Sequence, residues 1–241
     1  MTPLILRPQP AADELAARLR RDGHTPVVCP LLTYQSGCEL ALLPAMLTQA
    51  DITIAVSAAA VQYASHYLQQ QHLPWPATMT YLAVGPATAA ACRQQHLAVS
   101  SPADARSEGL LALPGLLMVH GKRIVILRGN GGRELLTDTL RRRGAEVTCV
   151  ECYRRHYLQT DGRRLLQEWQ AAAVDSVIIT SSELFQQLLT LLPDTATSWL
   201  SGLHWFVVSE RTAEELRSSG FNRITIMPGA QHEAVAAALS E

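Results

Sequence analysis

Apolar residues along this chain recur in two rhythms that take turns from one end to the other. Short apolar or alternating runs suit strands at 3–7, 26–34, 52–56, 80–84 and 97–99, then at 123–128, 145–156, 176–180, 204–208 and 223–227. Between them, amphipathic stretches predict helices at 10–22, 58–70, 86–95 and 107–113, and again at 132–143, 182–192, 210–219 and 231–240. In the first of these, Ala12, Leu15, Ala16 and Leu19 share one face at the spacing a 3.6-residue period requires. Gly23 and Gly144 each follow the first helix of a half, where a left-handed C-cap is wanted. Strands alternating with helices imply parallel sheets covered on both faces.

The pattern repeats. At an offset of 121, Ile5, Leu6, Arg7, Leu15, Leu19 and Gly23 coincide with Ile126, Leu127, Arg128, Leu136, Leu140 and Gly144. At an offset of 124, Asp51, Ile54, Ser57 and Gln62 coincide with Asp175, Ile178, Ser181 and Gln186. The same offset superposes Val84, Thr88, Ala89 and Arg93 on Val208, Thr212, Ala213 and Arg217. The order never breaks, so the chain reads as an internal duplication: two similar α/β domains with doubly wound parallel sheets. The candidate strands 26–34 and 145–156 are long. Each is placed to run from one domain into the other, and if they pair they form a two-stranded hinge.

Composition narrows the function classes. The 241 residues are 48% hydrophobic and 17% charged, with a formal net charge of −1, as in an ordinary soluble globular protein. No basic run predicts a nucleic-acid partner, and no apolar stretch is long enough for a membrane span. Neither a leader nor an anchor is expected, so the expected location is the cytoplasm. Lys122 is the sole lysine, which leaves almost all cationic charge on arginine, a planar fork suited to carboxylates and phosphates. Five cysteines in such a compartment are expected as free thiols. Cys149 and Cys152 form a CxxC, but three residues apart on a strand they face opposite ways and would not share a metal.

Ligands of open α/β sheets bind beyond the carboxyl ends of the strands. Four segments lie there. Arg7 ends the first strand, and Arg128 with Gly129, Gly131 and Gly132 ends its repeat, where backbone N–H groups ahead of a helix suit an anion as well as a plain turn. Ser57 and the pair Ser181–Ser182 follow strands and precede helices, as caps or as hydroxyl donors. Thr88, and Ser209 with Arg211 and Thr212, open further helices. Tyr153, beside Arg154 and Arg155, sits on the long strand, as a packed aromatic or as a proton donor. No zinc-ligand spacing, nucleophile elbow, P-loop or dinucleotide fingerprint is present. What remains is a cleft for a polyanionic organic molecule, with no cofactor and no metal expected.

Taken in order, ILRP, PLL, AVS-x-x-AV, AVG-x-x-TA, SEGLL, ILRG-x-GGRE-L, RGAEV-x-x-V-x-x-YRR, TSS and VSERTA resemble the uroporphyrinogen-III synthase family across essentially the whole chain. The resemblance implies a bilobal fold with segment exchange: residues 1–33 plus 157–241 in one domain, 36–153 in the other, and connector strands near 31–36 and 150–157. It implies hydroxymethylbilane as substrate, closed with loss of water and inversion of ring D, without a cofactor. Tyr153 is the implied helper of hydroxide departure. Ser57, Thr88, Ser181 and Thr212 are the implied carboxylate contacts, and Arg7, Arg128, Gly129, Ser182 and Ser209 are expected to join them as substrate contacts from their places after strands. Family members often carry Thr-Ser and a later Asn in the first serine loop. Here the stretch is Val56-Ser57-Ala58-Ala59, which leaves that loop its backbone N–H groups. A monomer, supplied by hydroxymethylbilane synthase, is expected. The contrasting expectations are a two-domain receptor for a small polyanion, which would bind without turnover, a nucleotide enzyme using the Gly129–Gly132 loop, and a redox protein using the CxxC.

Overall fold

The computed structural model describes residues 1–132 and 134–240. In chain order the first half holds β1 (Pro3–Ile5), α1 (Ala11–Arg21), β2 (Val27–Val28), β3 (Leu32–Ser36), α2 (Leu43–Gln49), β4 (Ile52–Ala55), α3 (Ala58–Gln70), β5 (Thr80–Ala83), α4 (Pro86–Gln94), β6 (Val99–Ser100), α5 (Ser107–Leu111) and α6 (Pro114–Leu117). The second half holds β7 (Arg123–Gly129), α7 (Leu135–Arg142), β8 (Glu146–Tyr157), α8 (Gly162–Ala171), β9 (Ser176–Ile179), α9 (Ser182–Leu191), α10 (Thr197–Gly202), β10 (His204–Val207), α11 (Glu210–Ser218), β11 (Ile224–Ile226) and α12 (His232–Leu239).

The strands form two sheets, ordered β11-β10-β9-β1-β2 and β3-β8-β7-β4-β5-β6. The first is parallel throughout, and the second is parallel from β8 to β6. Numbered within each sequence repeat, and leaving aside β3 at the edge of the second, both sheets have the doubly wound order 2-1-3-4-5. Strands 1 and 2 of each sheet come from one repeat and strands 3, 4 and 5 from the other. That is segment exchange written in the topology. The chain divides into two compact units, Met1–Thr33 with His156–Glu241 and Tyr34–Arg155.

The second unit shows why these sequences make these elements. Along β7, Ile124 and Ile126 face one side while Val125 and Leu127 face the other. All are buried, because a parallel sheet in a doubly wound unit is covered twice. Leu43, Leu47, Ala60, Val61, Ala64 and Cys92, from α2, α3 and α4, cover one side. Leu110, Leu116, Leu136 and Leu140, from α5, α6 and α7, cover the other. In the first unit α1 and α12 close over Ile5, Ile178 and Phe206. Elsewhere in that unit Trp205 stacks on Phe221 at 5.0 Å and meets Phe185 edge-on at 5.9 Å. Fully burying a side chain such as Leu15 or Ile5 contributes about 1.5–3 kcal/mol.

Both predicted glycine caps form. Gly23 and Gly144 have φ of 85° and 83°, and His24 and Ala145 donate back to the carbonyls of Leu19 and Leu140. This six-to-one bond defines a Schellman end, which a Cβ would strain. The candidate strand 26–34 is not one strand. It is broken into β2 and β3, which join different sheets, around Pro30, which has no N–H to give a ladder. Paired bonds from Leu158 to Leu31 and from Gly37 to Cys152 run β3 antiparallel to β8. Four helices were also unread in the sequence: α2, α6, α8 and α10. Of these α8 had a legible start, since Asp161 accepts from the Arg163 N–H as its cap, and Leu165, Leu166 and Trp169 make its buried stripe. Among the described residues no helix is long and apolar enough to cross a membrane.

Candidate functional site

In the second unit the strand order reverses between β7 and β4. Such a reversal splays the following loops apart and opens a crevice at the strand ends. A pocket of about 200 Å³ lies there, lined by Ser57, Arg128, Gly129, Thr137, Tyr153 and Arg155 among others. β7 delivers Arg128 and Gly129, and the turn from β4 to α3 delivers Ser57. Tyr153 arrives by a less regular route. The β7–β8 ladder pairs Arg128 with Glu151 and then Gly129 with Tyr153, skipping Cys152. This bulge inserts one residue and re-aims the side chain that follows it. Consecutive residues Cys152 and Tyr153 therefore both pack into the same core cluster.

The Tyr153 side chain is held on every side. Tyr34 meets its ring edge-on at 5.1 Å and Tyr63 stacks at 6.0 Å. Against Gly129 there is no spare space: a Cβ there would lie 2.7 Å from the ring Cζ. Only 2% of the residue is exposed. Its hydroxyl oxygen accepts from Ser57 Oγ at 3.3 Å and from Arg155 Nη2 at 3.2 Å. Ser57 also caps α3, accepting from the Ala60 N–H at 3.2 Å. The two arginines after Tyr153 have different surroundings. Arg154 lies outward and pairs with Glu151 at 2.9 Å, holding that carboxyl below the usual range. Arg155 turns back, its guanidinium 5.7 Å from the Tyr153 ring centre. Arg128 donates to Glu134 at 3.0 Å and lies 3.8 Å from the Cys149 sulfur.

The first unit holds the repeat-related residues. Ser181 caps α9 through the Leu184 N–H, and Ser209 caps α11 through the Thr212 N–H. Thr212 lies within 2.9 Å of Ser209 Oγ and 3.4 Å of Ser182 Oγ, so these three hydroxyls form one chain. Arg7 donates to the Ala230 carbonyl at 3.0 Å beside the start of α12, and burial pulls its guanidinium below its usual value.

The sequence candidates thus fall into two sets. Ser57, Arg128, Gly129 and Tyr153 meet at one pocket, and Ser181, Ser182, Ser209 and Thr212 gather in the other unit. Thr88 joins neither: it is 5% exposed inside the first turn of α4 and does not line the pocket. Thr212 is 1% exposed, so its hydroxyl serves its serine neighbours rather than solvent. Sequence reading missed Asn130, whose amide bridges the Arg155 backbone, and the bond from the Tyr157 hydroxyl to Glu183. It also placed Arg155 beside Arg154 without separating them. Strand alternation puts Arg155 on the Tyr153 side and Arg154 on the other, and the bulge at Cys152, which no local composition signals, decides which side that is. Cys149 and Cys152 pack into clusters on opposite faces of the sheet, as their spacing requires.

Comparison with known proteins agrees with this architecture. The family model described as uroporphyrinogen-III synthase HemD matches residues 13–237. Uroporphyrinogen-III synthase of Escherichia coli K12 is 41% identical over 99% of this chain and 100% of its own length. That of Salmonella typhimurium LT2 is 40% identical over the same shares. Among solved structures, a mutant uroporphyrinogen III synthase from the extremely thermophilic bacterium Thermus thermophilus shares the fold at a TM-score of 0.68 and 18% identity, covering 100% of this chain and 96% of that one. With a family model spanning nearly the whole chain and relatives this similar over their full length, the chain belongs to the uroporphyrinogen-III synthase family.

Proposed function

We propose that this chain converts hydroxymethylbilane to uroporphyrinogen III, inverting ring D and releasing water. The observation that carries the assignment of roles is the Tyr153 hydroxyl, fixed by Ser57 and Arg155 where it lines the pocket at the ends of β4 and β7, beside β8. Tyr153 protonates the departing hydroxyl of the bilane, so that the C–O bond breaks to give water and an electrophilic azafulvene. The substituted carbon of ring D attacks that carbon and forms a spiro intermediate. Fragmentation and reclosure at the other position leave ring D inverted.

The bilane closes unaided to the uninverted isomer, so the protein has only to favour one trajectory. A hundredfold preference needs about 2.7 kcal/mol of differential transition-state stabilisation. Holding a flexible chain by its carboxylates can supply that much. Arg7 and Arg128 supply charge for those contacts, and Ser57, Gly129, Ser181, Ser182 and Ser209 supply hydroxyl or backbone donors at strand ends and helix starts. Thr88 and Thr212, being buried, support the loops that bear these donors. All five cysteines are free thiols, which suits a reducing cytoplasm. The protein acts as a monomer and receives its substrate from hydroxymethylbilane synthase.

The test is an isomer assay. Hydroxymethylbilane is generated in the presence of the protein, the products are oxidised, and uroporphyrins I and III are separated. A protein-dependent shift to isomer III is expected. Persistence of isomer I with folded protein would overturn the reading in favour of a receptor that binds without turnover.

A further inference from the structure

The hydrogen-bond valences around Tyr153 point past the tyrosine to the residues that aim it. A phenolic oxygen has one proton to give and two positions at which to accept. Both accepting positions are taken, by Ser57 Oγ and Arg155 Nη2. Ser57 accepts from the Ala60 N–H with one lone pair and directs its hydroxyl proton to Tyr153. The phenolic proton is therefore left to point along the remaining direction, into the pocket that Tyr153 lines.

Arg155 reaches the phenol only because its backbone is pinned. Asn130 Oδ1 accepts from the Arg155 N–H at 2.8 Å, and Asn130 Nδ2 donates to the Arg155 carbonyl at 3.4 Å. The Asn130 N–H itself donates to the Tyr153 carbonyl at 3.1 Å. One asparagine thus continues the β7–β8 pairing past the bulge, where the regular ladder stops. Arg155 lies two residues beyond Tyr153, and the two stay on one side of the strand, as a period of two demands.

We propose that Arg155 is a positioning residue for the cyclisation, latched by Asn130, and that it acts by directing the Tyr153 proton at the departing hydroxyl. A cation donating to the phenolic oxygen also stabilises the negative charge that appears there as the proton leaves. This rests on the synthase reading and on the role of Tyr153 within it. It assigns Arg155 no contact with substrate, which separates it from an arginine that binds a carboxylate.

A double-mutant cycle tests this on the full-length protein, with isomer III formation followed against bilane concentration. Arg155→Met is expected to lower kcat about tenfold or more, the worth of one charge-assisted hydrogen bond, with KM unchanged. Adding Arg155→Met to Tyr153→Phe is expected to cost nothing further, because the hydroxyl it acts through is gone. Asn130→Ala is expected to give a smaller loss with the same dependence on Tyr153, and it carries the cycle if Arg155→Met does not fold. Losses that multiply, a raised KM, or full activity in the Arg155 variant would each overturn the proposal while leaving the synthase reading intact. Wild-type protein that yields only isomer I would overturn both.

Discussion

Replacing Gly129 by alanine adds one methyl group beneath the Tyr153 ring. The new Cβ would sit 2.7, 2.9 and 3.0 Å from Cζ, Cε2 and Cε1. Carbon atoms rest at about 3.5–4.0 Å, so the ring must retreat by roughly 1 Å. Tyr63 and Tyr34 pack against the same ring and resist that movement. The two bonds to the hydroxyl, at 3.2 and 3.3 Å, have no slack to follow it. Overpacking of this kind costs about 1–3 kcal/mol of stability. A displacement of about 1 Å at a reacting group costs about a hundredfold in rate. Gly129→Ala should therefore fold, melt lower, and form isomer III about a hundredfold more slowly than wild type. Gly115→Ala, in α6 and not among the residues that line the Tyr153 pocket, is the control: its Cβ meets nothing within 4 Å, so stability and rate should hold. Initial rates of isomer III formation, with a thermal melt beside them, decide the matter. Wild-type turnover in the Gly129 variant would refute the placement of the Tyr153 hydroxyl at the reacting centre.

Three further outcomes follow from the same geometry. Tyr153→Phe keeps the ring packing and removes the donor, so the rate of isomer III formation should fall clearly, without abolition, while the melting temperature barely moves; an unchanged rate would remove Tyr153 from the chemistry. Ser57→Ala and Ser181→Ala each delete a helix cap and should each cost about 1 kcal/mol in denaturant unfolding. Of the two, Ser57→Ala should also slow turnover through its lost bond to Tyr153, a difference read by comparing rates at matched folded fraction. Burial pushes the Cys92 and Cys152 thiols up to about 11 and about 12, whereas Cys38 is exposed. A chromogenic disulfide reagent at pH 8 should therefore label Cys38 first and leave Cys92 and Cys152 unmodified until denaturant is added, because only the thiolate attacks.

Much of the fold was open to a reader of the sequence, and for a physical reason. The alternation of short apolar runs with 3.6-period stripes is a local property, so β4, β7 and β9, and α3 and α9, stand close to where their patterns put them. Gly23 and Gly144 follow their helices with positive φ because a Schellman end depends only on neighbouring residues. The ordered matches at offsets of 121 and 124 declared a duplication, and each sheet has the same strand order. Failures came where local signals are weak or are overruled. The run 26–34 looked continuous, yet Pro30 and the competing demands of two sheets divided it. The short helices α2, α6 and α10 gain their stability from packing rather than from any strong periodicity of their own.

The site divides in the same way. Strand ends followed by Ser57, Arg128 and Gly129 were identifiable because crevices open where doubly wound sheets reverse, a rule that needs only strand order. The residue types by themselves could not say that Arg155 turns toward Tyr153 while Arg154 turns away, or that Thr88 is buried. They also could not say that Asn130 spans the gap beyond the ladder. The face that Tyr153 and Arg155 share, and the gap that Asn130 spans, depend on a one-residue bulge at Cys152 and on which strand lies beside β8, and the burial of Thr88 depends on the packing of α4. Periodicity, caps and repeats are interactions between near neighbours, so the sequence by itself determined them. The aim of the Tyr153 hydroxyl joins residues 57, 129, 130, 153 and 155 across three strands, and only tertiary packing, which chooses among registers that the local pattern leaves open, decided it.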